Sequence, residues 1–154
     1  MTRLFAFLFL LSAPLLSASE LKISQNGTEH LFNVDVANTP DQLQKGLMGR
    51  KKLADDRGML FLFPRPHKVR MWMYKTPLSL DMLFINKENQ IIFIKHSARP
   101  KSRDIVESPE VVKAVLEIKG GTSKKLGIQK GATVSHSLLA PCDDTKKDPE
   151  DSDK

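Results

Sequence analysis

Residues 70–86, RMWMYKTPLSLDMLFIN, hold the chain's only tryptophan and only tyrosine in its most apolar stretch beyond the N-terminus. The run is broken once, at Lys75, Thr76 and Pro77. Proline fixes its own φ and pushes the residue before it toward extended geometry, so the pattern predicts strand, bend, strand. A domain built on this stretch must bury two extended segments beside one fixed corner. At 154 residues the chain has material for a single domain with one core.

The N-terminus reads as a signal peptide over residues 1–19. Arg3 precedes an apolar run from Leu4 to Leu11, and Ser17, Ala18 and Ser19 form a small-residue cleavage site. The run is shorter than the roughly 20 apolar residues of a stable span, so no membrane span is expected after cleavage. These features predict a periplasmic or secreted protein. Removal of Arg3 leaves 23 basic residues against 18 acidic. Export and the lack of interleaved aromatic and basic residues argue against a nucleic-acid partner. Cys142 is the only cysteine, which excludes an intramolecular disulfide. Residues 141–154 predict a disordered acidic tail, with six acids against three lysines from position 143 onward and no apolar residue there.

Between these ends, residues 20–140 predict one β-rich domain. Leu21 and Ile23 alternate with polar residues, as do Phe32, Val34 and Val36. Asn26-Gly27 lies between the two runs, a strong hairpin signal because both residues tolerate positive φ. Thr39, Pro40 and Gln42 predict a capped helix start, with Leu43 and Leu47 on its buried side and Gly49 as its left-handed stop. The apolar run 58–63 predicts a strand ended by Pro64. Further strands are expected at 91–94, at 111–118 and at 132–139, and Thr122 or Ser123 can cap a one-turn helix before Gly127. About eight short strands and one or two short helices, without helical crossovers, predict an antiparallel sandwich.

Four blocks carry a family resemblance: GLMGR at 46–50, GMLFLFP at 58–64, MWMYKTPLSLDMLFI at 71–85 and VLEIKGG at 115–121. In order and spacing they resemble a bacterial and archaeal domain of unknown function, DUF family 192, over residues 31–134. The resemblance implies a mainly-β, jelly-roll-like sandwich, often exported, and implies no activity and no cofactor. Lys75 stands where the family commonly has asparagine, and Asn86 where aspartate is common.

Asp81 and Glu117 each lie between apolar neighbours, where an unpaired carboxylate is costly and shifts its pKa. Arg50 is a possible counter-ion. Against a site, single charges within strands usually face water. Trp72 and Tyr74 fall on one face of a strand and could form a platform for a sugar ring, with Arg70, Lys75 or Thr76 adding hydrogen bonds. The leading expectation is therefore a non-catalytic module that binds a small ligand or an envelope glycan through Arg50, Trp72, Tyr74, Thr76, Asp81 and Glu117. A second is a hydrolase with Asp81 and Glu117 as paired catalytic carboxylates. A third is a Cu(I) carrier using His67, Met71 and Met73, since soft thioethers and imidazole suit that ion. Methionine as adaptable core filler is the ordinary alternative.

Overall fold

The computed structural model describes residues 19–139. The expected signal segment (apart from Ser19), Cys142 and the acidic tail lie outside the described residues. The chain opens with β1 (Ser19–Gln25) and β2 (Thr28–Ala37), paired antiparallel across the predicted hairpin. Asn26 and Gly27 have φ of 49° and 78°, the left-handed geometry that this tight turn requires. Helix α1 (Pro40–Lys45) follows, and Thr39 and Gln42 close the predicted capping box. The helix ends one turn earlier than expected, at Gly46 rather than Gly49. Gly46 takes φ 45° against Phe61, whose Cζ an added Cβ would meet at 2.9 Å.

The remaining elements are β3 (Arg57–His67), β4 (Arg70–Met71), β5 (Leu80–Ile85), β6 (Ile91–Ala98), β7 (Val106–Glu107), β8 (Val112–Lys119), α2 (Thr122–Lys125) and β9 (Thr133–Ser135). The mainly-β expectation holds, with two short helices. The strand arrangement differs from an antiparallel sandwich. One seven-stranded sheet runs in the order β6-β5-β8-β3-β2-β1-β9, and β4 pairs with β7 apart from it. The sheet is mixed, because β2 and β3 are parallel. The segment 38–56 with α1 makes the long crossover that a parallel pair needs.

The sheet curls into a half-barrel. At one corner its two ends meet, where Ile91 N donates to Ala132 O (2.9 Å) and Val134 N to Asn89 O (2.8 Å). Inside lie Leu21, Ile23, Phe32, Val34, Leu60, Leu83, Ile85, Leu116 and Ile118, all at most 1% exposed. The outer face is apolar too. Phe61, Met82, Phe84 and Val115 pack there under Leu47, Leu53, Val69 and Met73, which come from the crossover and from the segment around the bend. β5 is therefore buried at all six positions. Each large apolar side chain fully buried in this way contributes roughly 1.5–3 kcal/mol.

A strand end was expected at Pro64, but β3 continues past Pro64 and Pro66 to His67. Its pairing with β8 jumps from Leu62–Ala114 to His67–Val112, so the prolines sit in a bulge and no ladder N–H is required of them. The stretch around the bend is less regular than predicted. Strand geometry stops at Met71, and residues 72–79 wrap over the outer face before β5 begins.

Candidate functional site

The alternation along β5 and β8 decides the arrangement of the two buried acids. Glu117 pairs with Met82, and Asp81 pairs with Ile118, so the two carboxylates point to opposite faces of the sheet. Neither faces water: Asp81 is 0% and Glu117 4% exposed. The proposed pairing of Asp81 and Glu117 as catalytic partners is thus corrected by register, since a full sheet thickness separates them.

Asp81 closes a structural network at the end of the barrel interior. Its carboxylate accepts from Ser97 N (2.7 Å), Gly121 N (2.9 Å), Ser123 N (2.9 Å) and Ser123 Oγ (2.6 Å). Burial pushes its pKa up, but these hydrogen bonds outweigh that and hold it below the usual carboxylate value. Ser123 Oγ spends its one proton on Asp81, so it accepts from His96 Nδ1 at 2.8 Å and fixes that tautomer. Every donor is satisfied and no open face remains for a ligand. Asp81 therefore leaves the candidate site.

Glu117 is the opposite case. It projects onto the outer face between Met59 of β3 and Met82 of β5, its register partners. Among the described residues its carboxyl has no hydrogen bond and no ion pair. Burial alone raises its pKa from the ordinary 4.5 to about 8. The carboxyl lines a cavity of about 220 Å³, bounded by Leu47, Phe61, Met71, Trp72 and Thr76, with Lys45 and Arg70 also on its lining. An acid that is protonated at neutral pH there can donate one hydrogen bond and accept others.

The wall opposite α1 is the segment around the bend. Trp72 is 46% exposed, and its ring lies 5.1 Å from that of Tyr74 at 37°. Tyr74 does not line the cavity; it backs Trp72, with Lys75 Nζ and the Arg103 guanidinium 5.2 and 5.1 Å from its ring centroid. Thr76 is buried and pins the corner: its N donates to Met73 O (3.0 Å), its O accepts from Lys101 N (2.9 Å) and its Oγ1 donates to Tyr74 O (3.3 Å). Lys75 O accepts from Gly49 N (2.9 Å), which ties the bend to the turn after α1. Lys75 has φ 54°, the left-handed region that asparagine enters most easily among residues with a side chain. Asn86 Oδ1 accepts from Gln90 N (2.8 Å) in the β5–β6 turn, a bond that an aspartate would also make.

Arg50 is not the counter-ion of Glu117. Its guanidinium donates to Asp35 Oδ2 (2.8 Å), while Arg57 holds Asp35 Oδ1 (3.0 Å). The three copper candidates have different surroundings. Met73 is buried in the outer core, Met71 lines the cavity, and His67 packs its ring against Phe63 with Nδ1 at 2.9 Å from Arg65 O. Of the residues singled out in the sequence, Arg70, Met71, Trp72, Thr76 and Glu117 meet in one cavity. The contributions of Leu47, Lys45 and Phe61 were missed, because the crossover that brings α1 over β8 leaves no local sequence signature.

With this geometry in place, the four sequence blocks can be located: they form the end of α1 and its turn, β3, the bend with β5, and β8. Over residues 21–136 the chain matches the model of DUF192, described as an uncharacterised ACR. The chain belongs to the DUF192 family. Two solved structures are similar to this DUF192 chain. One, of a protein of unknown function from Novosphingobium aromaticivorans DSM 12444, is 32% identical with a TM-score of 0.74, over 75% of this chain and 83% of that one. The other, from Sinorhizobium meliloti 1021, is 39% identical with a TM-score of 0.76, over 80% of this chain and 98% of that one. The label of the second as a transcription regulator is provisional. No curated protein matches. Among the described residues of this DUF192 protein, no helix is long and apolar enough to cross a membrane.

Proposed function

We propose that this protein is an exported, non-catalytic binding module that takes a sugar ring of an envelope glycan into the cavity over Glu117. The observation that carries this reading is the buried, unpartnered carboxyl of Glu117 on the wall of a cavity beside a half-exposed tryptophan. Buried polar groups in folded proteins are almost always hydrogen-bonded, so one left open toward a cavity suits a ligand that supplies the missing partner. Protonated Glu117 offers a hydroxyl donor and a carbonyl acceptor, which matches the paired donors and acceptors of sugar hydroxyls. The apolar face of a pyranose stacks on an indole, and Tyr74 holds that indole in place. A volume of about 220 Å³ lies below the usual range for drug-sized ligands and suits one ring. Arg3, the apolar run from Leu4 to Leu11 and the small residues 17–19 support export to the periplasm or beyond.

Trp72 is the only tryptophan, so its fluorescence reports directly on the site. Titration with N-acetylglucosamine is expected to change that emission saturably. Trp72→Ala, followed by calorimetry, is expected to weaken binding about tenfold, the scale of one lost aromatic stack. Its thermal midpoint should stay close to wild type, because the ring is half exposed. Saturable binding that is unaffected by Trp72→Ala and by Glu117→Leu would place the ligand elsewhere.

A further inference from the structure

A second cavity, of about 370 Å³, opens on the other side of α1 between the helix and strands β2 and β3. Asp35, Ala37, Gln42, Arg50 and Met59 line it, and it shares Lys45 and Gly46 with the first. Gly46 adds no side chain at the junction. The two cavities also follow one row of the sheet. Asp35 of β2 pairs with Met59 of β3, and Met59 pairs with Glu117 of β8. Two strand spacings, roughly 10 Å, separate the backbones at the ends of this row. That separation is about the length of two linked sugar units.

The charge along the cleft is unbalanced. Besides Glu117, Asp35 is the only acid on the two linings, and two guanidinium groups, from Arg50 and Arg57, already share its carboxylate. Among the described residues, Lys45 and Arg70 have no ion-pair partner. The cleft as a whole therefore carries surplus positive charge in a partly enclosed setting, where charge attracts more strongly than in open water. We propose that the second cavity is a subsite for an acidic unit of the same ligand, so that the cleft takes two consecutive units of a carboxylate-bearing glycan. Arg50 and Lys45 receive the carboxylate. This inference rests on the glycan reading of the first cavity and adds to it the ligand's length and charge.

Three probes separate the two ideas: N-acetylglucosamine, its neutral disaccharide N,N′-diacetylchitobiose (chitobiose below), and the acidic disaccharide of N-acetylglucosamine and N-acetylmuramic acid. Calorimetry on the mature chain should show the acidic disaccharide binding about tenfold tighter than chitobiose, an advantage that shrinks as salt rises. Lys45→Ala and Arg50→Gln should each pull the ratio of those two affinities toward one. A merely structural effect would weaken both disaccharides alike and leave the ratio unchanged. Lys45 is exposed on α1, so its variant remains informative if loss of the Arg50–Asp35 pair disturbs the fold. If N-acetylglucosamine binds but the acidic disaccharide gains nothing over chitobiose, the second subsite is overturned while the first stands. If none of the three binds, both are overturned.

Discussion

Asp81→Ala is expected to cost about 3–5 kcal/mol of folding stability, close to the whole margin of many domains of this size. The carboxylate, itself 0% exposed, accepts four hydrogen bonds, two from the fully buried Ser123 and one each from the backbone of the more exposed Ser97 and Gly121. Its removal leaves three backbone N–H groups and one hydroxyl without an acceptor, and the two buried donors of Ser123 then carry their full desolvation penalty. Asp81→Asn should fall between wild type and alanine, because its amide keeps one acceptor oxygen but presents N–H to a neighbouring donor. The folded-state pKa of Asp81 is depressed, so its stabilisation is present above the ordinary carboxylate range and is lost as pH falls through the folded value. Urea unfolding of the three proteins near pH 7 measures the first effect, and an acid titration of the wild type shows the second. A variant that unfolds at the wild-type midpoint would show that Asp81 does not hold α2 to the sheet.

The second large effect has the opposite sign. Glu117→Gln is expected to stabilise the folded protein, by an amount on the order of 3 kcal/mol near pH 7.5. Burial raises the Glu117 pKa from 4.5 to about 8. Between those values the folded chain holds a proton that the unfolded chain has released, so the stability of the wild type falls steadily as pH rises from about 4.5 to about 8 and levels off above. Glutamine keeps the shape and loses the charge, so the variant should lack this falling limb. At about pH 4 the two proteins should unfold together. Sugar binding should largely survive this change, because the carboxamide, like the protonated acid, presents a donor and an acceptor, whereas Glu117→Leu removes both and should weaken it. A residue that lowers stability yet serves ligand binding is what a site selected for function rather than for folding looks like.

The local parts of this fold were legible in the sequence, because their physics is local. Asn26-Gly27 dictates its hairpin, and Thr39 with Gln42 dictates where α1 starts. What requires two distant segments to meet was not legible. Alternation says that Asp81 and Glu117 each share a face with every second neighbour, but only the register of β5 on β8 shows that the two faces differ. Arg50 offered itself as the partner of Glu117 because both stood near conspicuous motifs. The parallel pairing of β2 with β3 instead brings Arg57 beside Asp35, which Arg50 also reaches, and leaves Glu117 alone. Trp72 and Tyr74 were expected to touch as neighbours on a strand. They do touch, although the backbone between them is irregular, because the apolar outer face draws Met73 inward and leaves both rings on the other side. The resemblance in four blocks gave the family and the β-rich class. The curled sheet that turns those blocks into the walls of one cavity is a property of strand order.

The protonation of Glu117, on which the proposed site depends, can be followed at the carboxyl itself. Carbon-13 NMR of the glutamate side-chain carboxyls, with Glu117→Gln to assign the signal, gives its titration midpoint in the free protein and with N-acetylglucosamine bound. The expected midpoint lies near 8 and moves upward on binding, as the sugar engages the protonated form. A midpoint in the ordinary glutamate range, unmoved by the sugar, would show that Glu117 is neither held protonated nor part of a sugar site.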